Sequence, residues 1–144
     1  MKIDLATGRL IAPIDSAELA SFVSRLGEVN ALADCSPGFV WRLQDESGNA
    51  SAVRPWGDDV IVNMSVWDSA RSLRGYVFGA GHASVLRRRR EWFVPLGSTH
   101  LVLWWVKAGH RPTLLEARGR LDLLEASGPS PAAFTLRQPF DPPA

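Results

Sequence analysis

Val60-Ile61-Val62-Asn63-Met64-Ser65-Val66-Trp67 decides the fold of this chain. Branched apolar residues at that density favour an extended backbone. Side chains alternate along a strand, so Asn63 and Trp67 share one face while Val62, Met64 and Val66 share the other. Both faces are apolar enough to need cover. Asn63 breaks the pattern. Asn is depleted in strands, so either a structural partner or a pocket must favour it there.

Downstream, Asp68 can cap a helix over 69–78. Gly79-Ala80-Gly81 interrupts it, and a second helical piece runs from His82 to Trp92. Leu101 to Val106 is another strand apolar on both faces, with Trp104 and Trp105 pointing to opposite sides. Gly109 to Pro112 turns the chain. Thr113 and Glu116 make a capping box for a last helix that runs to Ala126 and stops at Gly128-Pro129.

Upstream, Phe39 to Gln44 reads as a strand with Phe39, Trp41 and Leu43 on one face. It follows a helix that opens on an Asp15–Glu18 capping box and carries Leu19, Phe22, Val23, Leu26 and Val29 at helical spacing. Lys2 to Ala12 reads as a first strand, and the polar stretch 45–59 as a loop or hairpin. The domain therefore spans 1–129, and the Pro-rich tail 130–144 is expected over its surface.

The order is β-α-β-β-α-β with an added C-terminal helix, a ferredoxin-like α+β pattern. Such a sheet normally carries helices on one face only. The second apolar face is expected to be buried in a homodimer, the alternative being cover by loops or the added helix.

Composition narrows the function. Of 144 residues, 46% are hydrophobic and 22% charged, as in ordinary globular domains. Sixteen basic against fifteen acidic residues leave too little excess charge for a dedicated nucleic-acid binder. No apolar run is long enough to span a membrane. The single Cys35 excludes an intrachain disulfide and fits a reducing cytoplasm. No phosphate-cradling Gly loop, Gly-x-Ser-x-Gly elbow or CxxC is present.

Three stretches together carry a resemblance: "NALADCSPGFVWRLQDESGNA" (30–50), "VNMSVWDSARSLRGYVFGAGHASVLRRRREWF" (62–93) and "HLVLWWVKAGHRPT" (100–113). From about Leu10 to Phe134 the chain resembles an uncharacterised bacterial family of unknown function in the dimeric α+β barrel superfamily. The pattern Asn63-Met64-Ser65-Val66-Trp67 followed by a short helix is similar to antibiotic-biosynthesis monooxygenases, which use neither metal nor flavin. The resemblance implies a dimeric barrel and a pocket between sheet and helices. In haem-degrading members of the superfamily, the iron ligand is a His on the helix corresponding to that of His82. There it stands closer to the preceding Trp than the fifteen residues separating Trp67 and His82 here.

His82 is the first candidate for proton transfer, because imidazole titrates near neutral pH. At helical spacing Arg89 falls on the same stripe and could hold an oxyanion; the alternative is a helix-capping His and a solvated Arg. Tyr76 could donate a phenolic proton or simply pack. Asn30 falls on the apolar face of the first helix, bonded to backbone or aimed into a pocket. Trp41, Trp67, Trp92 and Trp104 are candidates to wall a site for a flat ligand, with core packing as the ordinary role of each. His100 and His110 have no second His or Cys at metal-ligand spacing.

Three functions fit. The first is a cofactor-independent enzyme of monooxygenase, cyclase or isomerase type acting on an aromatic or polyketide-like substrate. Its residues would be His82, Tyr76, Asn63 and Arg89 for chemistry and Trp41 and Trp67 for the ring. The second is a binding protein for haem or another flat ligand, and the third a non-catalytic dimeric module.

Overall fold

The computed structural model describes residues 2–44, 56–57, 60–94 and 101–143, with residues 2–8 and Ala80 described by backbone alone. The expected loop at 45–59, apart from Trp56 and Gly57, and His100 lie outside them.

The sheet is antiparallel. β1 (Lys2–Leu10) pairs with β3 (Val60–Trp67), from Lys2 opposite Trp67 to Arg9 opposite Val60. β2 (Phe39–Arg42) lies on the far side of β3. On the far side of β1, β5 (Leu101–Trp105) pairs with residues 2–6, and the two-residue β4 (Phe93–Val94) with Arg9 and Leu10. β1 and β3 are thus central, as a split β-α-β arrangement requires. β4 is an addition to the expected order.

β2 departs from simple alternation. Phe39 stands opposite Trp67, yet Trp41 stands opposite Val66, so Val40 is an extra residue in the ladder. Phe39 and Trp41, expected on one face, therefore face opposite sides of the sheet.

One side carries α1 (Ala20–Cys35), α2 (Ala70–Val77) and α3 (Ala80–Arg87). The Asp15–Glu18 box does not form: a 3-10 turn, Ala17–Leu19, precedes α1 with no side-chain cap. The cap of α2 is Ser69, not Asp68, and its hydroxyl accepts the Ser72 N–H at 3.1 Å. Asp68 instead donates its own backbone N–H to the Gly38 carbonyl at 2.8 Å. The helix break falls at Phe78–Gly79, and α3 ends at Arg87 rather than Trp92.

α4 (Leu114–Ser127) covers the other side. Ala117, Leu121 and Leu124 recur at helical spacing and pack on Val62, Met64, Val66, Val102 and Trp104. This is the face that sequence reasoning assigned to a second subunit. Among the described residues α4 packs on it, as the alternative to a second subunit expected. Thr113 caps α4 as expected, accepting the Glu116 N–H at 3.1 Å.

The tail does more than cross the surface. Phe134 exchanges two backbone hydrogen bonds of 2.8 Å with Leu103, and its ring is fully buried beside Trp105 and Phe140. The Trp105 indole donates to the Phe140 carbonyl at 2.9 Å. Among the described residues no helix is long and apolar enough to cross a membrane.

Candidate functional site

The helix side of β3 presents Ile61, Asn63, Ser65 and Trp67 in turn. Ile61 packs into the cluster of Leu10, Phe22 and Trp92, and Trp67 into that of Leu73, Leu103 and Phe134. Asn63 stands between the two clusters. It is exposed although its strand has a neighbour on each side, so the helices leave an opening above it. Among the described residues its amide has no hydrogen-bond partner.

The same side of the sheet carries a column of rings. Phe39 meets Trp67 edge-on at 5.5 Å, Trp67 stacks on Tyr76 at 5.1 Å, and Tyr76 lies 5.0 Å from the His82 imidazole. Local structure explains the column. Tyr76 stands one helical turn after the buried Leu73, so α2 turns it onto Trp67. The break after Phe78 reverses the chain and returns His82 to the end of α2, where its Nδ1 lies 3.1 Å from the Val77 carbonyl. The Trp67 indole donates to Ser65 Oγ at 2.8 Å, and the Tyr76 hydroxyl to the Val29 carbonyl at 3.2 Å. Both rings are thus fixed in orientation.

Burial pushes the His82 pKa below its ordinary value, and the weaker effect of the Val77 hydrogen bond opposes this without reversing it. The imidazole is therefore neutral at pH 7. A carbonyl can only accept, so Nδ1 carries the hydrogen and Nε2 keeps the lone pair that can take a proton.

The structure brings together Trp67, Tyr76 and His82, with Asn63 on the same side of the sheet. Asn30 is half-buried and follows Val29, the residue in α1 whose carbonyl holds the Tyr76 hydroxyl. Four expected site residues lie elsewhere. Arg89 is exposed in the 3-10 turn Arg89–Glu91, because α3 ends before its stripe can reach that position. Trp92 is fully buried in the neighbouring cluster and donates to Ser21 Oγ at 2.9 Å. The extra residue in β2 turns Trp41 to the α4 side. Trp104 faces α4 as well, with its indole on Glu116 Oε1 at 3.0 Å.

A cavity of about 360 Å³ opens between the end of α1 and α2, walled by Ser36, Pro37, Arg71, Ser72, Gly75 and Tyr76. Tyr76 joins it to the ring column. Sequence reasoning missed Arg71, Ser36 and Ser72, since only the packing of α1 against α2 brings them to one cavity.

Haem does not fit His82. Tyr76 packs on the imidazole, Nδ1 is turned to backbone, and the cavity beside Tyr76 has no His82 in its wall. Among the described residues no group of three His, Cys, Asp or Glu could hold a metal ion.

No curated protein matches the chain. Solved structures do. A protein assigned to the antibiotic biosynthesis monooxygenases, from Chloroflexus aurantiacus, is 17% identical at a TM-score of 0.50, over 76% of this chain and 96% of that one. SnoaB, a cofactor-independent oxygenase from Streptomyces nogalater, is 19% identical at a TM-score of 0.48, over 78% and 95%. An asparagine-to-alanine variant of SnoaB is 18% identical at the same TM-score, over 78% and 96%. At these identities the likeness is one of fold. Residues 3–144 match the family described as Domain of unknown function (DUF3291), and the chain belongs to that family.

Proposed function

We propose that this protein is an enzyme acting on a small aromatic or polyketide-like molecule on the helix side of its sheet, of the cofactor-independent monooxygenase, cyclase or isomerase type. One observation carries the reading: an exposed Asn63 on a central strand, without a partner among the described residues, shares its side of the sheet with a neutral, half-buried His82 and two fixed aromatic rings. Fold alone does not establish function, and these residues are what support the reading.

The three reaction types share a first step. His82 Nε2 takes a proton from an acidic C–H or O–H of the substrate, and the Asn63 amide N–H donates to the oxyanion that forms. Trp67 bounds the flat body. In the oxygenase case the anion itself supplies the electrons: a CH2 group and O2 give a carbonyl and water, with no outside reductant. In the other two the anion attacks a carbonyl or is reprotonated elsewhere. A homodimer fits this proposal through surfaces other than the one under α4.

Anthrone, an aromatic with one acidic CH2, is a suitable probe for the oxygenase case, followed by oxygen uptake and product mass. Asn63→Ala and His82→Gln are each expected to slow turnover by about 100-fold or more. Unchanged turnover in the double variant would sink the mechanism.

A further inference from the structure

The α4 side of the sheet holds a second, smaller cavity of about 220 Å³, lined by Val40, Trp41, Val66, Gly109, His110 and Arg111. It is separated from the Asn63 site by the sheet itself. Its volume corresponds to roughly seven waters, which suits a one-ring molecule better than a polycyclic one.

The wall has a definite chemistry. Val40, Val66 and the Trp41 ring make one part apolar. The turn Lys107–His110, closed by the His110 N–H on the Lys107 carbonyl at 3.1 Å, leads directly into Arg111. Gly109 has φ +85° in that turn, a conformation that other residues rarely adopt. His110 is held from behind: Nε2 lies 2.8 Å from Glu116 Oε2, while Glu116 Oε1 accepts the indole N–H of the buried Trp104 at 3.0 Å. Burial would raise the Glu116 carboxyl, yet the His110 and Trp104 hydrogen bonds outweigh it and hold the group below its ordinary pKa. The nearby acid is thus ionised and already engaged at both oxygens. By contrast, the Arg111 guanidinium is exposed and has no partner among the described residues, and neither has the Trp41 indole N–H. The cavity therefore combines an apolar wall with the unengaged donors of Arg111 and Trp41, and Glu116, the carboxylate behind His110, is occupied.

We propose that this cavity binds a small aromatic carboxylate, its ring against Trp41 and Val66 and its carboxylate on Arg111. Arg pairs with a planar carboxylate through two parallel hydrogen bonds, which neither Lys nor Gln reproduces.

Benzoate, titrated into the full-length protein and followed by amide and indole NMR shifts, tests this. Saturable shifts at the Trp41 indole and at Gly109 and His110, absent with the neutral benzyl alcohol, are the expected result. Arg111→Gln should weaken benzoate about tenfold at unchanged Tm, and His82→Gln should leave it unaltered. The proposal is overturned by any of three results: no shifts at those positions, equal binding by Arg111→Gln, or shifts confined to Tyr76 and His82. The last would place benzoate at the helix-side site instead, and loss of anthrone turnover bears on that site alone.

Discussion

At the residue scale, His82 was legible as a candidate but not as a base of defined orientation. Its place after a glycine-rich break pointed to a helix end. Nothing local said that the Val77 carbonyl would claim Nδ1, because that contact depends on how the break folds back. Burial lowers its pKa from 6.5, which gives a stability prediction. The unfolded chain takes up this proton more readily than the folded one. Folded stability should therefore be fully present above pH 6.5 and fall as pH drops from there through the lowered folded value. Urea unfolding of wild type and His82→Gln across pH 5–7.5 checks this: the variant should show a flatter profile. Arg89 was misplaced for the opposite reason. Its helical spacing from His82 was sound, but α3 stops at Arg87 and the next residues wind more tightly.

At the element scale, the strands read best. β3 and β5 are apolar on both faces, and a pattern of that kind has few alternatives. The ends of α2 and α4 read within a residue or two, since Ser69 and Asp68 are both good caps and only the backbone path chose between them, whereas the start of α1 and the end of α3 were missed by several residues. Removing that cap with Ser69→Ala should cost about 1 kcal/mol in chemical denaturation. The turn between α1 and β2 is less forgiving. Gly38 has φ +83°, and a Cβ there would collide with Ser72 Oγ and the Asp68 carboxylate. Gly38→Ala is expected to destabilise by more than the roughly 1 kcal/mol of the backbone conformation alone. The tail was misjudged because proline content suggests exposure, while one aromatic decides otherwise. Phe134→Ala should cost about 3–5 kcal/mol, a core-sized loss from a segment that reads as a surface strap.

For the whole molecule, the two-sided apolar sheet was read correctly, and α4 of the same chain, the alternative to a second subunit, packs on its second face. α4 advertises itself poorly. Leu115 and Leu123 are exposed, so its apolar residues do not form a clean stripe in sequence. Yet Ala117, Leu121 and Leu124 close the core. Leu121→Asp distinguishes the two arrangements. With α4 on the sheet of its own chain, the substitution buries a charge and should cost about 3 kcal/mol or more, lost as one cooperative unfolding transition. A folded protein that merely changed its mass in light scattering would instead mean that the face belongs to a subunit contact.

The extra residue in β2 also bears on how relatives of this chain would differ in length. Val40 is half out of the ladder on an outer strand, while Phe39 and Trp41 on either side of it serve opposite faces. A sequence with a gap at this position would carry Phe and Trp as immediate neighbours and still deliver each ring to its present side. The gap would thus leave both rings in place and take from the α4-side cavity only the Val40 part of its wall, whereas a second insertion beside Val40 would exchange the faces of everything that follows it in the strand.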